Sequence, residues 1–229
     1  METITLDQVT AVRHRFERAR HLAAERFREA FAAMPPDVPA NERWRAHLAI
    51  QAEAMLECAA GVRLPDGYRI HYVIREHPHR LIIPVAIATD ADPALLESEG
   101  AHLRVEHALL PYFSIDRNPE SLYEYWFLLS ELLGSDAWRM TTVIAKAGEY
   151  DEAIARLKAP QLVRPLFVSY LPAAEWRADE TALLEVTVYS KAGEERIERR
   201  TLLLDRNHEW VFHGRELIAE GQGGVRMSS

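Results

Sequence analysis

Hydrophobic residues recur every three or four positions over most of the first 158 residues, which is the spacing of helices with one buried face. Helix ends are marked by proline and glycine, and Asp92-Pro93 and Asn118-Pro119 each join a capping residue to a proline of the first turn. The predicted helices cover residues 6–34, about 40–60, 92–110, 120–133 and 147–157.

Other stretches have the alternate-residue period of β-strands. Residues 68–75 and 81–87 flank a polar turn, so they are predicted to form a hairpin, and Pro84 places its second strand at a sheet edge. After Pro165 the same period predicts a meander. Its strands are expected at residues 166–171, 182–188, 196–204 and 210–213. Residues 138–147 stay open between helix and strand.

The sequence therefore predicts an α+β fold. It has a helix-rich N-terminal two thirds with one β-hairpin, followed by a C-terminal antiparallel β-meander packed against the helices. We expect a single domain over residues 1–220, or alternatively a helical part over 1–160 and a meander over 161–220. Residues 221–229 are glycine-rich and are expected to be a disordered tail.

Composition narrows the classes of function. The 229 residues are 48% hydrophobic and 27% charged, as in globular proteins. No apolar run approaches the length of a membrane span, and the N-terminus lacks the pattern of a signal peptide, so a cytoplasmic location is expected. A net charge of −8 argues against binding to nucleic acid or anionic membrane, although residues 13–21 are locally basic.

The helix over residues 120–133 is apolar almost all round. Such a helix lies at the centre of a core or is covered by a second subunit. From this pattern we expect a non-catalytic binding or assembly protein that forms a homodimer. Whether the protein is an enzyme stays open. The alternative is a small-molecule-binding or metal-assisted enzyme with a pocket between the meander and the helices.

Two groups of residues are candidates for a site in that alternative. Tyr170, Tyr189, Trp210 and Phe212 are expected in the wall of a ligand pocket in the meander. His77 and His79, at the hairpin tip, have the i,i+2 spacing that lets two imidazoles share a metal. The single cysteine, Cys58, falls within an apolar helical stripe and is expected to be a buried, inert thiol. No cofactor is favoured.

Acid–base chemistry would need a carboxylate in a desolvated position. Glu124, Glu131 and Glu185 are candidates, since each neighbours an apolar segment. Phosphate-binding glycine loops, the dinucleotide fingerprint, the serine-hydrolase elbow and paired-cysteine motifs are all absent from the sequence. Their absence lowers the expectation of those particular reactions.

Overall fold

A computed structural model describes residues 1–76, 80–91, 109–133, 141–164, 169–191 and 195–221. The chain divides into two compact units. The sheet unit contains Met1–Ala11 and Arg117–Ser229, and the hairpin unit contains Val12–Asp116. Compactness does not test whether a unit folds on its own, so the single domain over residues 1–220 stays a prediction.

The described helices lie within two residues of their predicted ends. They are α1 (Leu6–Ala33), α2 (Ala40–Cys58), α3 (Pro119–Leu133) and α4 (Ala147–Arg156), with a 3-10 turn at Leu110–Tyr112. The strands are β1 (Glu2–Thr3), β2 (Val62–Arg63), β3 (Tyr68–Glu76), β4 (Arg80–Ala88), β5 (Ser114–Ile115), β6 (Thr141–Ile144), β7 (Gln161–Leu162), β8 (Ala173–Trp176), β9 (Ala182–Ser190), β10 (Arg196–Leu204) and β11 (Trp210–Glu220). Residues 92–108 of the predicted third helix lie outside the described residues.

The hairpin unit is built on the predicted pair β3–β4, which is antiparallel with Tyr72 opposite Pro84. Because β4 pairs only with β3 in the described chain, the edge position of Pro84 is confirmed. Helix α2 contacts β3, and the Nε of Arg45 donates to the Tyr72 carbonyl at 3.1 Å. Both faces of the hairpin are buried, with Ile70 and Tyr72 on one and a cluster containing Val73 and Ile83 on the other.

The sheet unit contains a seven-stranded antiparallel sheet in the order β1-β8-β9-β10-β11-β7, with β6 also pairing with β9. Strand β9 pairs with β10 along its whole length. On its other side, β8 pairs with residues 182–185 and β6 pairs with residues 187–190. Helix α3 contacts β8 and β9, and α4 contacts β6.

The predicted fold class was wrong. The sheet is not a late four-strand meander, because it also takes in β1 at the N-terminus and β6 at residues 141–144, and the C-terminal half of the protein is mostly sheet. The helix-rich N-terminal part fits only in part. The missed strands β1 and β8 are two and four residues long, which is too short to show a period. Strand β6 falls within residues 138–147, which the sequence left open between helix and strand.

Strand β11 contains two bulges against β10. Leu202 pairs with Phe212 and Thr201 pairs with Gly214, so His213 is an extra residue with no pairing partner on β10. A second shift falls between Ile197 and Glu198, where Ile218 is the extra residue. A bulge reverses the alternation of side chains beyond it, so positions on β11 cannot be assigned to a face by counting from Trp210.

Replacing Thr187 with valine is expected to stabilise the protein. Its side chain on β9 is 0% exposed, and its hydroxyl has no hydrogen-bond partner among the described residues. Removing a buried, unsatisfied hydroxyl at constant shape should raise the free energy of unfolding by about 1 kcal/mol, measured by urea unfolding. Thr142→Val, at an exposed position on β6, is the matched control and should change little. A destabilised Thr187→Val protein would contradict the prediction.

Candidate functional site

The four residues of the predicted pocket lie on two opposite faces of the sheet. Residues paired across neighbouring strands share a face, and faces alternate along each strand. Tyr189 pairs with Ile197 of β10, whereas Trp210 and Phe212 pair with Leu204 and Leu202. We call the face that carries Tyr189 the Tyr189 face. The opposite face carries Trp210 and Phe212, and we call it the Glu198 face after the buried Glu198 of β10, which lies on it.

Tyr189 and Tyr170 belong to one hydrophobic cluster. Tyr189 is buried among Ile144, Leu157 and Ile197, and Tyr170 packs against this cluster with its ring 5.3 Å from that of Tyr150. Burial raises the pKa of the Tyr189 phenol, and the nearby Glu195 carboxylate adds to the rise. The two tyrosines therefore occupy the position of core residues on the Tyr189 face.

Trp210 and Phe212 lie on the Glu198 face. Trp210 is half-buried, and its ring centre is 6.2 Å from that of Tyr125 on α3. The Tyr125 hydroxyl donates to the His208 carbonyl at 2.8 Å, which fastens α3 to the turn before β11. Phe212 is 55% exposed. These two residues are adjacent on one face, but they do not meet Tyr170 or Tyr189.

A buried carboxylate held by two arginines is the most polar feature of the Glu198 face. Glu198 is 1% exposed, and its carboxylate oxygens lie 3.0 Å from the Nε of Arg196 and 2.6 Å from the Nε of Arg200. The three residues stand at alternate positions of β10, so they share one face. Two guanidinium groups around one carboxylate give this triad a net charge of about +1 at neutral pH.

Arg215 brings a third guanidinium to this face. It pairs with Arg200 across β10 and β11, and the bulge at His213 puts it on the same face as Phe212. Like charges directly opposite each other in a sheet are destabilising unless something compensates them. In the described chain, Arg200 has Glu198 as its ion-pair partner, and Arg215 has none. Sequence reasoning missed this group, although the spacing Arg-x-Glu-x-Arg within a strand was a usable signal for the triad.

The candidate acid–base residues occupy three different settings. Glu124 is fully buried on α3, and Glu131 is half-buried near the end of that helix. Glu185 accepts from the Nε and Nη2 of Arg199 at 3.0 and 2.8 Å on the Tyr189 face. This bidentate ion pair gives Glu185 a structural partner.

No metal site is formed within the described parts of the chain, where no group of three or more His, Cys, Asp or Glu side chains could hold an ion. His77 and His79 lie outside the described residues, so the hairpin-tip site stays a prediction. Cys58 is buried, as predicted. It lines a cleft of about 400 Å³ between α1 and α2, together with Arg18, His21, Leu22, Glu25 and Glu57.

Comparisons of the chain with protein-family models, with curated proteins and with solved structures returned no match. Across the described residues, no helix combines the length and the apolar character needed to cross a bilayer. Inferences about function therefore depend on the geometry of the chain itself.

Tyr125→Phe is expected to reduce the alkaline sensitivity of the protein. Burial raises the pKa of the Tyr125 phenol well above its ordinary value of 10.0, and the Asp205 and Glu209 carboxylates raise it further. The unfolded chain therefore loses this proton first, and stability falls as the pH rises through about 10 toward the folded-state pKa. The variant should lose about 1 kcal/mol at pH 8 through the missing hydrogen bond.

Urea unfolding at pH values of about 8 and 11 measures both effects. The drop in stability between the two values should be smaller for Tyr125→Phe than for the wild type. Tyr68→Phe, on an exposed ring, is the matched control and should keep the wild-type drop. An unchanged drop in Tyr125→Phe would contradict the expected raised pKa.

Removing the buried carboxylate of the triad is expected to lower the stability of the protein. Glu198→Ala leaves the guanidinium groups of Arg196 and Arg200 beside each other without a counter-charge, and should destabilise the protein by about 3 kcal/mol. Glu198→Gln keeps one acceptor oxygen and should lose less. Glu185→Ala breaks a more exposed pair with a single arginine and is the matched control, with a loss of about 1 kcal/mol by chemical denaturation. Equal losses at the two sites would count against the triad.

Proposed function

We propose that this is a non-catalytic binding and assembly protein of the cytoplasm, which forms a homodimer through the outer edge of β11. One observation carries the proposal: Val211 and Phe212 are exposed, at 47% and 55%, on consecutive positions of an edge strand. Consecutive residues point to opposite faces, so each face of the sheet carries an exposed apolar side chain at this edge. The single buried thiol of Cys58 fits a reducing compartment.

The outer edge of β11 is open over residues 210–217 in the described chain. Strand β7 pairs with β11 only at Ala219 and Glu220, and the amides of Val163 and Arg164 both bond to the Ile218 carbonyl. An open edge presents unpaired backbone donors and acceptors to a further strand. Leu162 and Val163 are also exposed, so the open edge has apolar side chains at both ends of its length.

A second copy of the chain is the occupant that this edge fits best. Two β11 strands related by a two-fold axis between His213 and Gly214 run antiparallel and pair residues 210–217 with each other, which is a closed, self-complementary interface. The segment contains one arginine and one glutamate, Arg215 and Glu216, so it carries no net charge although the whole chain carries −8. A Cβ at Gly214 would meet nothing within 4 Å, which leaves room at the axis.

Helix α3 gives no support to this homodimer. The apolar surface that suggested a second subunit is buried within the chain, with Leu122, Tyr123 and Leu128 fully inaccessible to solvent. The helix is buried and contacts β8 and β9, which fits the other interpretation of its pattern. Self-association is therefore proposed from β11 alone.

The homodimer is tested by size-exclusion chromatography with light scattering at micromolar concentrations. The wild type should have twice the chain mass of 26.2 kDa. Val211→Lys with Phe212→Ser should raise the dimer dissociation constant about a hundredfold, because it removes apolar contacts and adds charge at the edge. Phe31→Ser, at a similarly exposed aromatic position of the hairpin unit, is the matched control and should leave the dimer intact.

Two results would overturn the proposal. One is a wild-type protein that is a monomer throughout the micromolar range. The other is a dimer that resists the substitutions at Val211 and Phe212, which would place its interface elsewhere on the molecule.

A further inference from the structure

We propose that Arg200 and Arg215 form a binding site for an organic anion, a carboxylate or a phosphate ester with an aromatic or apolar body. The site lies on the Glu198 face of the sheet, and it does not depend on the homodimer. Pairing at a sheet edge leaves both faces open, so the site stays accessible in a dimer as well as in a monomer.

Positive side-chain charge around Arg200 and Arg215 is only partly neutralised on this face, which favours binding of an anion. Arg200 and Arg215 are cross-strand neighbours, whose Cβ atoms lie about 5 Å apart in such a pair. Glu198, whose two oxygens are shared between Arg196 and Arg200, neutralises only one of the guanidinium groups. Glu220 lies on this face opposite Arg196, at the far end from Arg215, and Glu2 lies on it at the far strand β1. An oxyanion between Arg200 and Arg215 would relieve their repulsion.

The Arg200 guanidinium is positioned before any ligand arrives. Its Nε is held at 2.6 Å by a carboxylate that is itself 1% exposed, which fixes the plane of the group. A guanidinium has five N–H donors, and this contact uses the one on Nε. The terminal amino groups of Arg200 have no hydrogen bond or ion pair to the described residues. A preorganised donor loses less conformational entropy on binding.

Arg215 supplies the open side of the site. Its side chain is exposed, whereas that of Arg200 is only 16% exposed. Arg215 therefore lies on the solvent side of the pair and Arg200 on the buried side. Two convergent guanidinium groups bind one carboxylate or phosphate with short, charge-assisted hydrogen bonds. An anion can therefore enter from solvent past Arg215 and be held against Arg200.

Phe212 and Trp210 select an organic anion over a bare one. They follow Arg215 on the Glu198 face, because His213 is the extra residue of the bulge and Gly214 pairs on the other face. Phe212 is 55% exposed, and the Trp210 indole N–H is buried without an acceptor in the described chain. An aromatic or apolar body attached to the anion would cover these rings.

Isothermal titration calorimetry at low ionic strength tests the site with four probes. Phenyl phosphate and benzoate carry the two anion chemistries on one ring, inorganic phosphate lacks the ring, and benzyl alcohol lacks the charge. Binding of phenyl phosphate alone assigns the phosphate class, and binding of benzoate alone assigns the carboxylate class. Benzyl alcohol should not bind. If phenyl phosphate binds no more tightly than inorganic phosphate, the role of the aromatic residues is refuted.

Variants identify the residues. Arg215→Gln removes an exposed side chain and should weaken binding of the aromatic anion about tenfold or more, since a charged hydrogen bond is lost. Phe212→Ser should weaken phenyl phosphate and leave inorganic phosphate unchanged. Arg164→Gln is the matched control for charge, because Arg164 pairs with Glu216 at 2.5 Å on the Tyr189 face. It should change the affinity by less than about twofold.

The proposal is overturned if neither aromatic anion binds the wild type, or if Arg215→Gln binds as tightly as Arg164→Gln. Neither result bears on the dimer, whose mass is measured without a ligand. Because Arg215 is exposed and makes no ion pair in the described chain, its variant is expected to fold, so a loss of binding can be separated from a loss of structure by the thermal unfolding curve.

Discussion

The sheet unit depends on one constraint, which is the backbone pairing of β9 along both of its sides. This strand bonds to β10 along one side, and to β8 and β6 in succession along the other. Its residues are also buried on both faces, apart from Glu185, which Arg199 neutralises. A strand enclosed on four sides must satisfy every polar group internally. On β9 itself, the buried hydroxyl of Thr187 does not meet this requirement among the described residues.

Because β9 is enclosed, the open edge of the sheet lies on a strand further out. Since β9 has no free edge, further pairing passes outward to β10 and then to β11, whose outer side is closed only near its end by β7. Helix α3 covers the end of the sheet near Trp210 and α4 covers the Tyr189 face. Glu198 and its arginines lie on the Glu198 face at β10 and β11, outside the enclosed strand β9.

The sequence predicted most elements and missed how they assemble. Helix ends were correct because proline and glycine act locally, and the hairpin β3–β4 was correct because its two runs are long and adjacent. Strand β1 was missed because it is only two residues long, whereas β6 falls within residues 138–147, which stayed open between helix and strand. Each pairs with a segment more than 40 residues away, which no local pattern reveals. The predicted pocket residues lie on two opposite faces of the sheet. Sequence could not show this, because register between strands is a tertiary property that no count along β9 or β11 reveals. Phe212 and Arg215 are three residues apart, so regular alternation assigns them to opposite faces, and only the bulge at His213 brings them together.

The same bulge has a consequence for assembly. A straight, flat edge can add strands without limit and grow into a fibre, whereas a bulge twists an edge and restricts how far a neighbour can follow it. Deleting His213 would leave Arg215 opposite Arg200 and every later pairing in place, because the residue has no partner of its own. It would also straighten β11 beside its two exposed apolar residues. For the proposed homodimer, we expect this one surplus residue to keep the edge from growing beyond a pair of chains.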